Sequence, residues 1–258
     1  MSHPFDLTGK VAIITGASRG IGEAVARAYA AAGASLVLSS RKFENISAVA
    51  EAINAEYPGR AVAVAAHAGE RASAAKLVEA AVTHFGRVDI AVNNAATNPH
   101  FGPLLTSDES HWDKIYEVNV KGYFWVCQAA AQQMYAQGTG GKLINVASVL
   151  GLTPGYLMGI YSISKAAVIM LTRQLAAELA PANIQVNAIA PGFIKTKFSS
   201  AIWANPQMNE RVIASIPAGR MAEPEELTGV MLYLASSASD YTTGSVYSVD
   251  GGMLSHSA

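Results

Sequence analysis

The fold is decided by the stretch Lys10-Val11-Ala12-Ile13-Ile14-Thr15-Gly16-Ala17-Ser18-Arg19-Gly20-Ile21-Gly22. It begins as a short apolar run of strand type and continues into glycines spaced GxxxGxG, and residues 23–30 form a good helix sequence. A strand, a glycine-rich turn and a helix in this order form the start of a dinucleotide-binding unit, whose helix N-terminus can face a pyrophosphate. The glycines alone also fit an ordinary tight turn, so the flanking strand and helix carry the prediction.

The end of the second predicted strand, residues 34–39, indicates which dinucleotide is bound. In such units a carboxylate about 20 positions past the glycines holds the ribose hydroxyls of NAD. Here the corresponding stretch is Ser39-Ser40-Arg41-Lys42, which offers hydroxyls and cations instead. Arginine binds phosphate through a fork of donors, and Arg19 lies where it can reach the same group. The sequence therefore favours NADP(H), although Arg41 and Lys42 also suit the solvated start of a helix.

A second group of residues indicates proton transfer. Tyr161 and Lys165 are four residues apart in a predicted helix and project from one face, while Ser148 follows a separate apolar run. A phenol has a pKa of about 10, and an adjacent ammonium favours its ionised form. A serine hydroxyl can then hydrogen-bond the oxygen of a carbonyl or an alcohol. The pair alone also fits a tyrosine packed on a lysine stem, so this interpretation depends on the glycine turn.

Together these motifs resemble the short-chain dehydrogenase/reductase family over nearly the whole chain. Thr15 to Gly22 matches its TGxxxGxG, and Asn93-Asn94-Ala95-Ala96 is similar to its NNAG, with alanine in place of glycine. Asn119, Ser148, Tyr161 and Lys165 match its catalytic tetrad. Within the family, the stretches 39–42, 93–99 and 191–196 resemble NADPH-dependent carbonyl reductases related to the peroxisomal dehydrogenase/reductase group.

The resemblance implies a role for each member of the tetrad. Tyr161 donates a proton to the carbonyl oxygen, Ser148 hydrogen-bonds that oxygen, and Lys165 lowers the Tyr161 pKa and binds the nicotinamide ribose. The backbone or the side chain of Asn119 holds a water that links Lys165 to solvent, or Asn119 is simply a polar residue that distorts its helix. The implied cofactor-binding residues are Gly16, Ser18, Arg19, Gly20, Ile21, Gly22, Ser40, Arg41, His67, Asn94, Ala95, Ala96, Tyr161, Lys165, Pro191, Gly192, Ile194 and Thr196.

His67 departs from the family pattern. The family commonly has an aspartate after the third strand, where it contacts the adenine, and His67 stands at about that position. Either His67 or backbone atoms then make the adenine contact. A metal site is not expected, because His67 has no His or Cys at ligand spacing.

The alternation of apolar runs and helical stretches predicts one α/β domain, residues 1–258, with a Rossmann fold. It comprises a doubly wound, seven-stranded parallel sheet with helices on both faces. The longest helices are expected near 109–137 and 155–180, and the resemblance places a substrate lid at about 193–214. Strands are expected near 10–15, 34–39, 61–66, 88–92, 142–147, 183–189 and 245–249.

Composition excludes several classes of partner. The 258 residues have a net charge of −1 and no basic run, which argues against nucleic-acid binding. No membrane span is expected, and neither Met1–Asp6 nor Ser255–Ala258 resembles a targeting signal. Cys127 is the single cysteine and lies in an apolar helical segment, so we expect an inert thiol and a reducing, cytoplasmic location. The low charged fraction of 14% indicates that subunit contacts bury part of the surface, and the resemblance implies a homotetramer.

The expected activity is that of an NADP(H)-dependent reductase of ketones or aldehydes, acting on a small carbonyl or alcohol substrate. One alternative is a 3-oxoacyl thioester of acyl carrier protein, but the helix segment 128–134 offers no cation to an acidic carrier. Another is a non-catalytic nucleotide-sensing protein, which the intact tetrad disfavours. Lid aromatics would line an apolar site or pack in the core. Candidate substrate-contacting residues are Thr97, His100, Phe101, Val149, Leu150, Tyr156, Leu157, Phe193, Phe198, Ile202, Trp203 and Met208.

Overall fold

Seven parallel strands form one sheet in the computed structural model, which describes residues 4–255 apart from the side chain of Ala201. Residues 1–3 and 256–258, which enter the expectations about targeting signals, lie outside the described residues. The strands are β1 Val11–Thr15, β2 Ser35–Ser40, β3 Ala61–Ala65, β4 Ile90–Asn93, β5 Gly141–Val146, β6 Ile184–Pro191 and β7 Val246–Val249. Their order across the sheet is β3-β2-β1-β4-β5-β6-β7.

Helices connect these strands. They are α1 Gly20–Ala31, α2 Phe43–Glu56, α3 Arg71–Phe85, α4 Glu109–Tyr116, α5 Gly122–Gln137, α6 Gly159–Leu179, α7 Ser200–Trp203, α8 Pro206–Ala214 and α9 Thr228–Ala235. A π-helical turn, Glu117–Lys121, joins α4 to α5, so the chain is helical throughout the predicted range 109–137. No helix among residues 4–255 is both long and apolar enough to cross a membrane.

The apolar run of β1 separates two layers of helices. Ala12 and Ile14 pack in a buried cluster with α1, α2 and α9, whereas Val11 and Ile13 pack with α3, α5 and α6. Successive side chains of a strand point to opposite faces, so an uninterrupted apolar run requires cover on both sides. The predicted fold, a Rossmann-like parallel sheet with helices on both faces, is confirmed.

The predicted strands differ from the observed ones by only a few residues at their ends. The clearest case is β4, which was expected from residue 88 and begins at Ile90. The backbone N–H of Val88 donates to Oε1 of Gln137 at 2.8 Å, and its carbonyl accepts from Nε2 at the same distance. A side chain of α5 therefore hydrogen-bonds the backbone N–H and carbonyl of Val88, which the strand pattern had assigned to the sheet.

The order of strands fixes where a ligand can bind. Connections from β1 and β4, which are neighbours, lead in opposite directions along the sheet, and a crevice opens at the carboxyl ends of strands at such a point. The glycine turn follows β1, and Asn94 follows β4, so both lie at this crevice.

Candidate active site

One cleft of about 750 Å³ contains most of the predicted site residues. It runs along the carboxyl ends of the strands, from the glycine turn and the end of β2, past the loop after β4, to Ser148, Tyr161 and the segment 191–199. Of the predicted cofactor-binding residues, Gly22 alone does not line it; of the predicted catalytic residues, Asn119 alone does not.

The glycine turn is built by the residues on either side of the crevice. Thr15 Oγ1 accepts hydrogen bonds from the backbone N–H groups of Asn94 at 3.0 Å and Ala95 at 3.2 Å. In return, Nδ2 of Asn94 donates to the carbonyls of Thr15 at 3.0 Å and Gly16 at 3.1 Å. The Asn94 side chain thus holds the turn in shape, a role that the resemblance to the family did not indicate.

Gly22 supports the turn from behind. A Cβ at this position would lie 2.5 Å from both Asn94 Nδ2 and the carbonyl oxygen of Gly16. Glycine is therefore required by close packing, which matches the role of the last glycine in dinucleotide-binding turns.

The same end of the cleft offers unpaired cations. Arg19 and Arg41 are exposed at the cleft and form no ion pair or side-chain hydrogen bond with any residue between 4 and 255. Ser40 lies beside them, and its hydroxyl donates to the carbonyl of Lys42 at 2.9 Å. Two free guanidinium groups, a hydroxyl and a helix N-terminus suit a ligand with several phosphates. The residues present therefore fit a phosphorylated dinucleotide.

His67 lines the cleft but is held by its own neighbours. Its Nε2 lies 3.2 Å from Nζ of Lys114, which also donates to Oε2 of Glu117 at 3.2 Å. Nδ1 lies 3.6 Å from Oε1 of Glu117 and accepts from the Gly69 N–H at 3.3 Å. Lys114 also lines the cleft, although no motif indicated it.

Ser148, Tyr161 and Lys165 come together at the inner wall of the cleft. Ser148 follows β5, and its Oγ accepts from the Leu150 N–H at 3.1 Å, which fixes the short helical turn Val149–Gly151. Tyr161 lies in the first turn of α6, and Lys165 follows one turn later. All three residues are buried. Nζ of Lys165 donates to the Val146 carbonyl at 2.7 Å and to Oη of Tyr123 at 3.2 Å.

Burial acts on both titratable groups. It raises the pKa of the Tyr161 phenol well above its ordinary value, and a hydrogen bond with Ser148 opposes this shift only in part. Burial lowers the pKa of Lys165 to about 7. The predicted lowering of the Tyr161 pKa by Lys165 is not seen, because desolvation dominates both groups and the lysine bonds to Val146 and Tyr123.

Asn119 lies outside the cleft, in the π-helical turn, and is completely buried. Its Nδ2 donates to the Thr97 carbonyl at 3.0 Å and to Ser164 Oγ at 3.2 Å, and its Oδ1 accepts from the Thr97 N–H at 2.9 Å. The side chain thus ties the loop after β4 to α6. The water-holding role stays a prediction, and with the side chain engaged in this way it would fall to the backbone of Asn119.

A buried polar network beneath the tetrad was missed from the sequence. Asn93 donates to the Tyr123 carbonyl at 3.1 Å and to Oδ1 of Asn145 at 3.0 Å, and Asn145 donates to Thr172 at 2.9 Å. Cys127 lies beside Asn93, and burial raises the pKa of its thiol to about 12. That shift is in line with the inert thiol expected. The available signal was an asparagine within an apolar strand, at the last position of β4 and at the last but one of β5.

The candidate substrate-contacting residues divide into two groups. Thr97, Val149, Leu150, Phe193, Phe198 and Ile202 line the cleft, and the Phe198 ring lies 5.8 Å from the Tyr161 ring. The remaining candidates, which do not line it, are His100, Phe101, Tyr156, Leu157, Trp203 and Met208. Met158 lines the cleft although the sequence did not single it out.

Comparison with known proteins settles the family. A family model described as enoyl-(acyl carrier protein) reductase matches residues 16–254. Dehydrogenase/reductase SDR family member 4 of Oryctolagus cuniculus is 41% identical over 247 residues, covering 95% of this chain and 94% of that protein. The chain belongs to the short-chain dehydrogenase/reductase family.

Other members of this family act on sugar acids. The 2-dehydro-3-deoxy-D-gluconate 5-dehydrogenase of Dickeya dadantii (strain 3937) is 40% identical over 257 residues, covering 98% of each chain. The solved gluconate 5-dehydrogenase from Burkholderia cenocepacia J2315, in complex with NADP and tartrate, matches with a TM-score of 0.93 and 34% identity over 98% of each chain. This short-chain dehydrogenase/reductase is therefore an oxidoreductase with an NAD(P)-type cofactor.

Proposed function

We propose that this short-chain dehydrogenase/reductase is an NADP(H)-dependent carbonyl reductase. It would transfer hydride between nicotinamide and a ketone, an aldehyde or the corresponding secondary alcohol. The observation that carries the proposal is the meeting of Ser148, Tyr161 and Lys165 at one wall of a cleft with two unpaired guanidinium groups at its other end. The chain, residues 1–258, acts as one domain, with 193–214 as a lid over the substrate.

Each residue of the proposed catalytic tetrad has a part in the transfer of one proton. Burial keeps the Tyr161 phenol protonated at neutral pH, so it is ready to donate its proton to a carbonyl oxygen. Ser148 donates a hydrogen bond to that oxygen and stabilises charge as it develops. Lys165 and Asn119 complete the path by which the Tyr161 proton is replaced. A bound reduced nicotinamide supplies the hydride.

The preference for NADP(H) over NAD(H) rests on Arg19, Ser40 and Arg41. The end of β2 carries the Ser40 hydroxyl and, just beyond it, the Arg41 guanidinium in place of the carboxylate that selects NAD, while Arg19 lies in the glycine turn. The Burkholderia relative binds NADP, which supports the same assignment here. Gly16, Ser18, Gly20 and Ile21 would face the pyrophosphate, His67 the adenine, and Asn94–Ala96 with Pro191, Gly192, Ile194 and Thr196 the nicotinamide half.

Two other substrate classes are alternatives to a simple ketone or aldehyde. A thioester of acyl carrier protein has some support from the description of the matching family model. An oxidised sugar acid is supported by the Dickeya and Burkholderia relatives. A homotetramer in the reducing cytoplasm remains our expectation for assembly and location, and light scattering after size exclusion tests the first of these.

The decisive experiment follows NADPH oxidation against a panel of carbonyl compounds, with Tyr161→Phe and Arg41→Ala measured beside the unmodified protein. The panel contains an aryl ketone, a dicarbonyl, a quinone, a ketosteroid, an oxidised sugar acid and a 3-oxoacyl thioester. We expect Tyr161→Phe to lose at least about 100-fold in kcat, since it removes the acid, while NADPH still binds. Arg41→Ala should weaken NADPH much more than NADH. Full activity of Tyr161→Phe would overturn the mechanism, and activity confined to the thioester would replace the substrate class.

A further inference from the structure

Six lysines and arginines within residues 4–255 line the cleft, although the whole chain has a net charge of −1. Among the described residues that line it there is no aspartate or glutamate. A cleft lined by charges of one sign raises the local concentration of ligands of the opposite sign. The lysines and arginines that line it are Arg19, Arg41, Lys42, Lys114, Lys165 and Lys197.

Five of these cations have an evident use. Arg19, Arg41 and Lys42 surround the position proposed for the cofactor's phosphate, and Lys114 pairs with Glu117 beside His67. Lys165 is buried and bonds to the Val146 carbonyl.

Lys197 is the sixth cation, and neither the proposed cofactor site nor a partner side chain accounts for it. It is exposed at the cleft, and within residues 4–255 its side chain has no hydrogen bond or ion pair. By contrast Lys195, two residues earlier, lies outside the cleft lining, and its Nζ is 3.8 Å from Oε1 of Glu223.

The backbone around Lys197 is firmly held. Ser200 Oγ donates to the Lys197 carbonyl at 2.8 Å, and the indole of Trp203 donates to the Thr196 carbonyl at 2.8 Å. Ser199 Oγ accepts from the Thr196 N–H at 3.0 Å. The next residue, Phe198, places its ring 5.8 Å from that of Tyr161. The free cation is therefore presented from a fixed segment at the reacting end of the cleft.

Several of the other side chains at the reacting end are apolar. Besides Phe198, its lining includes Leu150, Met158, Phe193 and Ile202. A ligand that satisfies all these groups has a carbonyl for Tyr161 and Ser148, an apolar body, and a negative group for Lys197.

We propose that the substrate is an oxo acid, and that Lys197 binds its carboxylate while Tyr161 and Ser148 bind its carbonyl oxygen. This inference rests on the proposed function and narrows its substrate class. In the reaction the carbonyl carbon gains a hydride from the cofactor and the oxygen gains a proton from Tyr161. The carboxylate is unchanged, and the product is a hydroxy acid.

The test compares acids with their own methyl esters, which have the same carbonyl and lack the charge. The pairs are phenylglyoxylate and 4-oxo-4-phenylbutyrate with their esters, so that two spacings are covered. The measured quantity is the ratio of kcat/KM for acid over ester, in the unmodified protein, Lys197→Gln, Lys197→Arg and Lys195→Gln. NADPH affinity of each protein is measured separately by fluorescence titration.

We expect the unmodified protein to prefer the acid of at least one pair, and Lys197→Gln to lower that ratio about two- to fivefold, as befits a partly exposed ion pair. Lys197→Arg and Lys195→Gln should keep it, and raising the salt concentration should reduce it.

Three results would overturn the inference. They are esters reduced as well as acids, a ratio that survives Lys197→Gln, or an equal loss for acid and ester with weakened NADPH binding, which would assign Lys197 to the cofactor. In each of these the proposed reductase still reduces ketones. If no carbonyl compound is reduced although NADPH binds, the proposed function itself fails.

Discussion

The two ends of the cleft are built in different ways. At the glycine turn, recognition depends on the backbone, and Thr15 and Asn94 hold that backbone through four hydrogen bonds from fixed, largely buried positions. At the segment 193–214, recognition depends on side chains such as Phe198, which is 51% exposed, and the described residues of α8 include none that is buried. In the proposed function, the main chain of the glycine turn binds the pyrophosphate, which many dinucleotide ligands share. Side chains of the segment 193–214 would contact the substrate, which differs between enzymes of the family.

The largest effect should come from the rigid end, with Gly22→Ala. The added Cβ would lie 2.5 Å from the Gly16 carbonyl oxygen, a backbone atom that cannot move without distorting the turn. We expect a loss of about 1–3 kcal/mol in the free energy of unfolding, as in other overpacked sites. NADPH binding should weaken well beyond tenfold, because the turn no longer presents its amides. Thermal unfolding and fluorescence titration measure the two effects.

Gly229→Ala is the matched control. Gly229 is an exposed residue of α9, and nothing lies within 4 Å of the position of its added Cβ. Alanine is favoured over glycine in a helix by about 1 kcal/mol, so this variant should bind NADPH normally and unfold at a slightly higher temperature. Normal binding by Gly22→Ala would show that the turn is not the rigid element described here.

The same contrast explains which parts were predictable from the sequence. Local patterns sufficed for the seven strands and the glycine turn, because they depend on neighbours in the chain: apolar runs for burial and glycines for close approach. The lining of the reacting end depends on tertiary packing. Tyr156 and Phe198 are both aromatic, and each lies near a family motif, five residues before Tyr161 and two residues after Thr196. Yet Tyr156 is 84% exposed outside the cleft, while the Phe198 ring lies 5.8 Å from that of Tyr161.

Residues with two uses were also hard to predict. The resemblance assigned Asn94 and His67 to the cofactor and gave no sign of their contacts within the protein. The Asn94 amide donates to the carbonyls of the glycine turn, and His67 contacts Lys114. The prediction that Lys165 lowers the Tyr161 pKa failed for a related reason, since burial raises that pKa. One helical turn places Lys165 on the same face as Tyr161, but spacing gives no information on how far both groups are desolvated.

A smaller effect is expected on the pH dependence of the free energy of unfolding. It comes from Lys165 at the inner wall of the cleft, and Lys165→Met tests it. Unfolding returns Lys165 from a pKa of about 7 to its ordinary value of 10.5, so above pH 7 the unfolded state binds the extra proton. Stability of the unmodified protein should therefore rise with pH across this window, by about 2 kcal/mol between pH 7 and 9 relative to the variant. Lys165→Met should be inactive yet unfold at a higher temperature at pH 7, with the difference shrinking toward pH 9.

The difference between the two proteins isolates Lys165, since the other titratable groups are common to both. Lys195→Met, which removes an exposed lysine, should show no such pH-dependent difference. A gap between Lys165→Met and the unmodified protein that stays constant from pH 7 to 9 would mean that Lys165 remains fully charged in the folded state. A charged Lys165 would then lie one helical turn from Tyr161, as the sequence analysis expected.

The smallest effect is expected at the variable end, from Phe198→Ala compared with Tyr156→Ala. Phe198 faces Tyr161 across the cleft, so removing its ring should raise the KM for an aryl ketone about three- to tenfold, as loss of one aromatic contact of about 1 kcal/mol predicts. Its kcat should change little, since no proton donor is touched. Tyr156→Ala removes a larger exposed side chain outside the cleft and should leave KM unchanged. Equal effects of the two variants would mean that the segment carrying Phe198 does not form the substrate wall, and the contrast between the two ends of the cleft would fail.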